Sequence, residues 1–552
     1  MPAHKFAPPY ALPTYDYRTP PELAGQAPGR YPVVVVGAGP AGLTLACDLA
    51  QRGLSCVLLD DDNTVGVRGA SSRGICYAQK SLEILARMGV AERAIDKGVT
   101  WSLGRTFTGD QEVYNFNLQN QSVSQQPPFI NLQQFYLEWF LVDRLQALGL
   151  TDLRWLQRVT SVQPGDDHVR VEVATPQGSY TLEADYLIDA TGANSPIRTQ
   201  LGIEAHASRS ADRWCISDVR LAKPLPVERW TWVDAPFNQG RAVWQHLMAD
   251  DVWRMDYQMP EDADLEHISQ PEVVGARLRE QLGPDVDFEF VWIGPYQYRD
   301  HLLDDFRHGR VFFVGDAAHV VSPFGARGGN TGMQDAANLG WKLALVVQGR
   351  APDSLLDSYS AERQPACAEN LRVTSRSARF LAPRSEAESC LRRATLSLAR
   401  HYPFARPLVN TGRMSVANDY PPSPWLPAGA RTVQNVRLTD ENGQASSVMQ
   451  LLQDGTHFLA LCFEPDAATA AALQATLDRS ALPLRLVAVG GASDLPTVQD
   501  SAGVLAQHLG LQAGQCAGTV CLVRPDAYLA ATLPACSPGQ LLGALRQALQ
   551  TP

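Results

Sequence analysis

VVVVGAGPAGLTLACDLAQRGLSCVLLD, residues 33–60, decides the fold. Val33 to Val36 is a β-branched run that stops at Gly37, which reads as a buried strand ending in a turn. Pro40 to Gln51 carries Leu43, Ala46, Leu49 and Ala50 on one helical face, and Arg52-Gly53 ends it. Cys56 to Leu59 is a second strand, closed by Asp60. The stretch opens a βαβ unit with Gly37-Ala38-Gly39-Pro40-Ala41-Gly42 at its first turn. In that pattern Gly37 permits the tight turn and Gly39 lets a pyrophosphate approach the backbone. Gly42 allows the helix to pack closely on the strand. The phosphates would lie over the helix start at Pro40 and Ala41, where unpaired N–H groups and the dipole favour an anion. Asp60, 18 residues beyond Gly42, would accept hydrogen bonds from a ribose. NAD and FAD fit this fingerprint equally.

Working outward, the composition narrows the class. The chain has 552 residues, 45% hydrophobic and 19% charged, which suits a multidomain globular protein. Its formal charge is −11, and no long Lys/Arg run occurs, so no nucleic-acid or membrane partner is expected. The ten cysteines form no CxxC pair, and the eleven histidines form no HExxH. Reduced, mostly buried thiols in a cytoplasmic protein are expected, with no metal. The first thirty residues are Pro-rich and have neither a signal-peptide core nor a spanning segment. They read as an extended arm over the surface.

Helical periodicity returns from Ser81 to Met88 and from Gln134 to Leu148. Short strands are expected at Val169 to Ala174, Tyr180 to Glu183 and Tyr186 to Asp189. Cys215 to about Met259 alternates and is rich in Trp, which predicts antiparallel sheet. Val311 to Val314 is another strand, followed by helices from Gly332 to about Val347 and from Asp353 to about Ala382. The prolines from Pro421 to Pro427 mark a linker. Beyond it, strands at Phe458 to Phe463, Leu484 to Val489 and Thr519 to Val523 alternate with helical runs at Ala467 to Leu477 and Gly539 to Leu549.

Gly315-Asp316-Ala317-Ala318-His319 follows the strand at Val311 and leads into Pro323-Phe324-Gly325-Ala326-Arg327-Gly328-Gly329-Asn330-Thr331-Gly332. A carboxylate at a strand end suits a ribityl hydroxyl. A Gly-rich loop entering a helix lets main-chain N–H groups face a flat polar ring. The stretch from Gly315 to Leu343 resembles the signature of the single-component FAD-dependent aromatic hydroxylases, among them the 4-hydroxybenzoate, phenol and 3-(3-hydroxyphenyl)propionate hydroxylases. The motif order agrees, with Gln-x-x-Leu-Glu at Gln134 to Glu138, and Ser358-Tyr359 with Glu362-Arg363 resembles the family's later helix.

The resemblance implies an α/β (α+β) architecture. A Rossmann-type FAD-binding domain would take residues 31–102, 129–204 and 300–420, after an arm of residues 1–30. An interleaved, mostly antiparallel substrate domain would take 103–128 and 205–299, and a thioredoxin-like domain 428–552. It further implies that Gly37, Gly39, Pro40, Ala41, Gly42 and Asp60 hold the ADP half of FAD. Arg73 would lie near the pyrophosphate, Gln134 on the cofactor, and Gly315 and Asp316 at the ribityl chain. Pro323, Arg327, Gly328, Gly329 and Asn330 would surround the isoalloxazine, whose reduced, anionic N1–C2=O edge a helix N-terminus stabilises.

There are departures. Thr191 stands where the family has the Asp of an Asp-Gly motif, and Asp189 lies two residues earlier. Ser322 replaces a Pro. Arg198 reads either as a surface ion pair or as a cofactor contact. No second strand–GxGxxG–helix unit is present, which fits a family in which NAD(P)H binds transiently.

The implied reaction is NAD(P)H-dependent hydroxylation of a phenolic aromatic compound with O2, through a flavin C4a-hydroperoxide. A polycyclic aromatic or polyketide substrate, or a flavin-binding regulatory protein without turnover, are the alternatives. Tyr257, His246 and Arg254 are the candidate catalytic residues, and Arg241 or Arg254 the candidates for a substrate carboxylate. A homodimer is expected.

Overall fold

The structure, a computed structural model, describes all residues except 1–3, 6–9, 26–27, 67–73, 120–121, 210–211, 412–413, 454, 456, 492, 513, 515 and 552. Its elements run as follows. The opening βαβ is β1 (Gly29–Val36), α1 (Pro40–Gln51) and β2 (Cys56–Leu59). Then come β3 (Cys76–Ala78), α2 (Gln79–Arg87), β4 (Leu103–Thr108), β5 (Gln111–Asn117) and α3 (Gln134–Leu148). Four strands follow: β6 (Thr151–Arg154), β7 (Arg158–Pro164), β8 (Val169–Thr175) and β9 (Gly178–Asp189). The Trp-rich region forms β10 (Arg213–Leu221), β11 (Arg229–Ala235), β12 (Arg241–Met248) and β13 (Val252–Met259), then α4 (Pro271–Leu282) and β14 (Phe288–Tyr296). β15 (Val311–Phe313), α5 (Gly328–Val347), α6 (Asp357–Leu381) and α7 (Glu386–His401) come next. The C-terminal unit contains β16 (Phe458–Phe463), α8 (Ala467–Asp478), β17 (Leu484–Val489), β18 (Val520–Val523), β19 (Tyr528–Leu533) and α9 (Pro538–Leu549).

The first sheet positions the site. β9 lies between β1 and β15, and β2 and β6 extend the sheet beyond β1. These contacts are parallel, with Asp189 beside both Val36 and Phe313. The carboxyl ends of three neighbouring strands therefore bring Gly37, Ala190 and Gly315 to one edge, where open α/β sheets bind ligands. Val33–Val36 of β1 and all of β2 are buried on both faces, as continuous Val/Leu runs require. The expected strands at Tyr180 and Tyr186 are one strand, β9, because its inward-facing residues continue across Ala184.

A second sheet runs β14–β10–β13–β12–β11–β4–β5, antiparallel except where β11 meets β4. α4 covers one of its faces. The C-terminal sheet has β16 and β17 parallel at its centre and β18 and β19 antiparallel beside them. Trp341 and Leu345 of α5 pack into its core with α8 and α9 residues.

The arm departs from expectation. Besides crossing the surface, it docks: His4 and Lys5 pair with β14, Tyr15 stacks on Trp155 at 4.6 Å, and Tyr10 packs on Phe135 at the same distance. Aromatic residues spaced between prolines give it apolar anchors. α5 begins at Gly328 rather than Gly332, and α7 occupies a stretch where no helix was expected. Among the described residues, no helix is long and apolar enough to cross a membrane.

Candidate active site

Two helix starts and one turn meet at the sheet edge. Gly37 has φ of +106°, and a Cβ there would lie 2.5 Å from the Ala190 carbonyl oxygen. A Cβ on Gly42 would lie 2.0 Å from the Gly37 carbonyl oxygen, whereas one on Gly39 would enter open space. The pattern leaves room for a ligand only at Gly39. α1 starts with Pro40 and has no side-chain cap, so its first N–H groups remain available to an anion. Ala41, Gly315 and Gly332 are in mutual contact, since a Cβ on Gly332 would approach Gly315 Cα at 3.0 Å and Ala41 Cβ at 3.4 Å. Small residues thus bring α1, the Gly315-Asp316 turn and α5 together.

Asp60 braces the turn. Its carboxylate accepts from Ala38 N at 2.6 Å and from Asp62 N at 2.9 Å, and burial raises its pKa to about 6. Gln134 Oε1 accepts from Gly74 N at 3.0 Å, and Glu138 accepts from Gln134 Nε2 and Gly66 N. The Gln-x-x-Leu-Glu motif therefore holds both Gly66 and Gly74. Arg73 lies outside the described residues.

The loop before α5 is shaped by Gly325 at φ +82° and Ala326 at φ +56°. Asn330 fixes it with four hydrogen bonds. Its Nδ2 donates to the carbonyls of Cys76 at 2.8 Å and Ala326 at 2.6 Å, and its Oδ1 accepts from Ala78 N at 2.8 Å and Ser81 Oγ at 2.6 Å. The first helical bond is Thr331 N to Arg327 O, at 2.9 Å. The N–H groups of Gly328, Gly329 and Asn330 therefore belong to the uncapped first turn, where the dipole is positive. Arg327 is buried, and its guanidinium donates to Asn370 Oδ1 at 2.5 Å and to the Met414 carbonyl at 3.4 Å.

Asp335 was not singled out by the sequence, yet it ties three segments. It accepts from Gly315 N at 3.1 Å and Arg363 Nε at 2.7 Å, and pairs with His319 Nε2 at 2.6 Å. Its place inside the Gly315–Leu343 stretch that carries the family resemblance was the available signal. Asp189 accepts from Thr191 N and Oγ1 and from Ser195 Oγ, so it folds its own loop. Arg198 is neither a surface ion pair nor isolated: it donates to Ala317 O at 2.7 Å and Ala193 O at 3.0 Å, joining that loop to the Gly315 turn.

The second sheet separates the catalytic candidates by face. Side chains alternate along a strand. Tyr257 packs with Val274 and Leu278 of α4, and its hydroxyl donates to Gln281 Oε1 at 2.6 Å. It is turned away from the face that carries His246 and Arg254. That other face looks toward the loop before α5: Met248 and Val252 cluster with Ile75, Cys76 and Ala78, and Trp214 and Trp244 with Phe324.

On this face Arg254 forms a bidentate pair with Asp218, both bonds 2.8 Å. Arg254 is therefore neutralised within the protein, and Arg241 donates to exposed Gln239. His246 is 5% exposed, its Nε2 lies 3.7 Å from Asp256 Oδ2, and its Nδ1 meets no hydrogen-bond partner among the described residues. Burial, then the charges of Arg229 and Arg254, hold its pKa well below 6.5. Burial raises Asp256 to about 6. Arg229 and Asp256 were missed by the sequence reading, which could not tell this face from the other.

A surface groove of about 630 Å³, lined by Asp304, Arg307, Asp357 and Pro365 among others, includes none of these groups.

An FAD-binding-domain family model matches residues 30–374, and the chain belongs to that family. It is 30% identical to 12-dehydrotetracycline 5-monooxygenase/anhydrotetracycline 6-monooxygenase of Streptomyces rimosus, over 91% of this chain and 95% of that protein. It is 26% identical to the 3-(3-hydroxy-phenyl)propionate/3-hydroxycinnamic acid hydroxylase of Mycolicibacterium smegmatis, over 79% of this chain and 78% of that one. The crystal structure of the flavin-dependent monooxygenase PieE in complex with FAD and substrate shares its fold, with a TM-score of 0.77 and 22% identity, covering 95% of this chain and all of that one. This protein is an FAD-dependent monooxygenase of the aromatic hydroxylase type. The open approach at Gly39 and the uncapped starts of α1 and α5 fit that cofactor.

Proposed function

We propose that the enzyme hydroxylates a phenolic aromatic compound, taking electrons from NAD(P)H. The balance is phenol plus O2, NAD(P)H and a proton, giving the hydroxylated phenol, NAD(P)+ and water. Bound FAD would supply electron transfer and oxygen activation. Gly37, Gly39, Pro40, Ala41, Gly42 and Asp60 would hold its ADP half, Asp316 its ribityl chain, and the first turn of α5 the negative ring edge. The protein's remaining work is to orient the phenol, exclude water and move its proton.

One observation carries this reading: a buried, neutral histidine faces the flavin loop with a carboxylate behind it. A free phenol has a pKa of about 10, and its ring is far more nucleophilic once ionised. In this reading His246 Nδ1 accepts that proton, and Asp256, 3.7 Å from Nε2, favours the resulting imidazolium. His246→Gln should lower hydroxylation by about 100-fold, within the span general-base loss produces, while FAD content and the rate of flavin reduction stay within a few-fold. Rapid-mixing kinetics with product analysis reads both.

A second reading has its own support. Trp214 and Trp244 stack at 4.6 Å and 5°, Phe324 abuts Trp244 at 5.2 Å, and both buried indole N–H groups meet no acceptor among the described residues. Such a wall suits a broad polycyclic aromatic bearing acceptor oxygens. Reduction of the flavin by NADH and by NADPH, each with a one-ring and a polycyclic phenol, separates the readings. If no phenol accelerates reduction or yields a hydroxylated product, both readings fail.

A further inference from the structure

Arg229 opens β11 on the face that carries His246 and Asp256. It differs from six of the seven other buried arginines among the described residues. Arg52, Arg87, Arg154, Arg254, Arg363 and Arg524 each have a carboxylate within 4.0 Å. Among the described residues, no carboxylate lies that close to Arg229. Its only described hydrogen-bond partner is the thioether of Met414, a weak acceptor. A guanidinium 7% exposed and so poorly matched is costly, and burial indeed lowers its pKa.

The surroundings say where an anion would go. Arg229 influences Cys76, His246 and Asp256 electrostatically. The Cys76 carbonyl accepts from Asn330, and Met414 clusters with Cys76, Met248 and, at its edge, Ala326. Arg229 thus stands between the sheet and the flavin loop, beside the imidazole assigned to the phenol proton. Arg254, two strands away, cannot serve because Asp218 already saturates it.

We propose that Arg229 anchors an oxyanion of the substrate, so that the enzyme selects aromatic substrates that are anionic when bound. This rests on the phenol hydroxylase reading above. The oxyanion comes either from a carboxylate on the ring or side chain, or from the phenolate itself.

The test is binding to the FAD-loaded enzyme, followed by the ligand-induced change in flavin absorbance, which needs no turnover. The probes are 3-(3-hydroxyphenyl)propionate, its methyl ester, and 4-nitrophenol titrated below and above its ionisation. Wild type should bind a charged probe about 30-fold more tightly than its neutral counterpart, the scale expected of a desolvated Arg–oxyanion contact. Arg229→Met should erase that preference while the neutral probe shifts less than about threefold, and Arg229→Lys should keep part of it. A preference confined to the propionate identifies the carboxylate; one confined to ionised nitrophenol identifies the phenolate.

Equal binding of charged and neutral probes by wild type overturns the proposal, as does an Arg229→Met variant that weakens both alike. If that variant fails to hold FAD, the wild-type and Arg229→Lys comparisons decide. Neutral phenols hydroxylated without any charge preference would remove the Arg229 role and leave the proposed function standing. Absence of hydroxylation of every phenol would remove the function itself.

Discussion

Gly42→Ala should yield protein nearly devoid of FAD. An added methyl at residue 42 would sit 2.0 Å from the Gly37 carbonyl oxygen and 3.2 Å from Ala190 Cβ. The first contact is with main chain, which no side-chain rotation relieves. α1 must lift from β1, and the turn that lets a pyrophosphate approach must deform with it. Overpacking of this kind costs about 1–3 kcal/mol in the fold. The greater loss is in the cofactor, since the displaced groups are those that would contact the phosphates. FAD affinity should fall at least about 100-fold, or about 2.7 kcal/mol. The ratio of flavin to protein absorbance after purification, and titration of apoprotein with FAD, measure it. Gly39→Ala is the control: a Cβ there meets nothing in the protein. It should leave the apoprotein's melting temperature unchanged while still weakening FAD. Full flavin occupancy in Gly42→Ala would mean that this turn does not hold the cofactor.

Arg524→Met should detach the C-terminal unit from the flavin domain. Arg524 donates to both Glu362 oxygens, at 2.7 and 2.8 Å, and to Asp526 at 3.0 and 2.6 Å. Lys342 of α5 donates to Glu362 at 2.8 Å and to Asn338 at 2.7 Å. Two cations and two carboxylates are thereby balanced in a buried interface. Removing Arg524 leaves two buried carboxylates facing one lysine, a loss of about 3–5 kcal/mol for a broken buried pair. The variant should melt earlier and be cut by proteases near Pro421–Pro427 while wild type resists. Deleting the residues after about Pro427 should be worse, because it uncovers Glu362 and Lys342 together.

The same interface has a defined pH response. Burial alone would raise Glu362, but Arg524 and Lys342 outweigh it and hold the carboxyl well below its usual range. A folded-state pKa below the unfolded value of 4.5 stabilises the fold above that pH, and the contribution is lost as pH falls. Acid should therefore loosen the C-terminal unit of wild type below about pH 4.5, a transition that Arg524→Met largely lacks.

The cofactor side of this protein was readable from local sequence. Gly37 and Gly315 need positive φ, and the strand–turn–helix context places open N–H groups at Pro40–Gly42 and Gly328–Asn330. Those requirements are satisfied within a few residues of chain. The helix start at Gly328 was read four residues late because glycines lower helix propensity, and tertiary bonds from Asn330 to Cys76, Ala78 and Ser81 override it.

The substrate side was not readable in the same way. Alternation in β13 divides Arg254 and Asp256 from Met255 and Tyr257, but nothing in the strand says which set faces the loop before α5. The packing of α4 on Tyr257 decides it, and α4 lies 14 residues further along the chain. Arg254 and Arg229 look alike as strand arginines until Asp218 is seen to neutralise one of them.

The sequence by itself determined a βαβ nucleotide fold and two glycine-rich turns at helix starts, because backbone conformation there depends on near neighbours. Only the tertiary structure decided which sheet face meets the reaction, which arginine keeps an unmatched charge, and how the last unit is locked to α5. Those outcomes depend on side chains brought together from distant strands, where burial makes each missing partner costly.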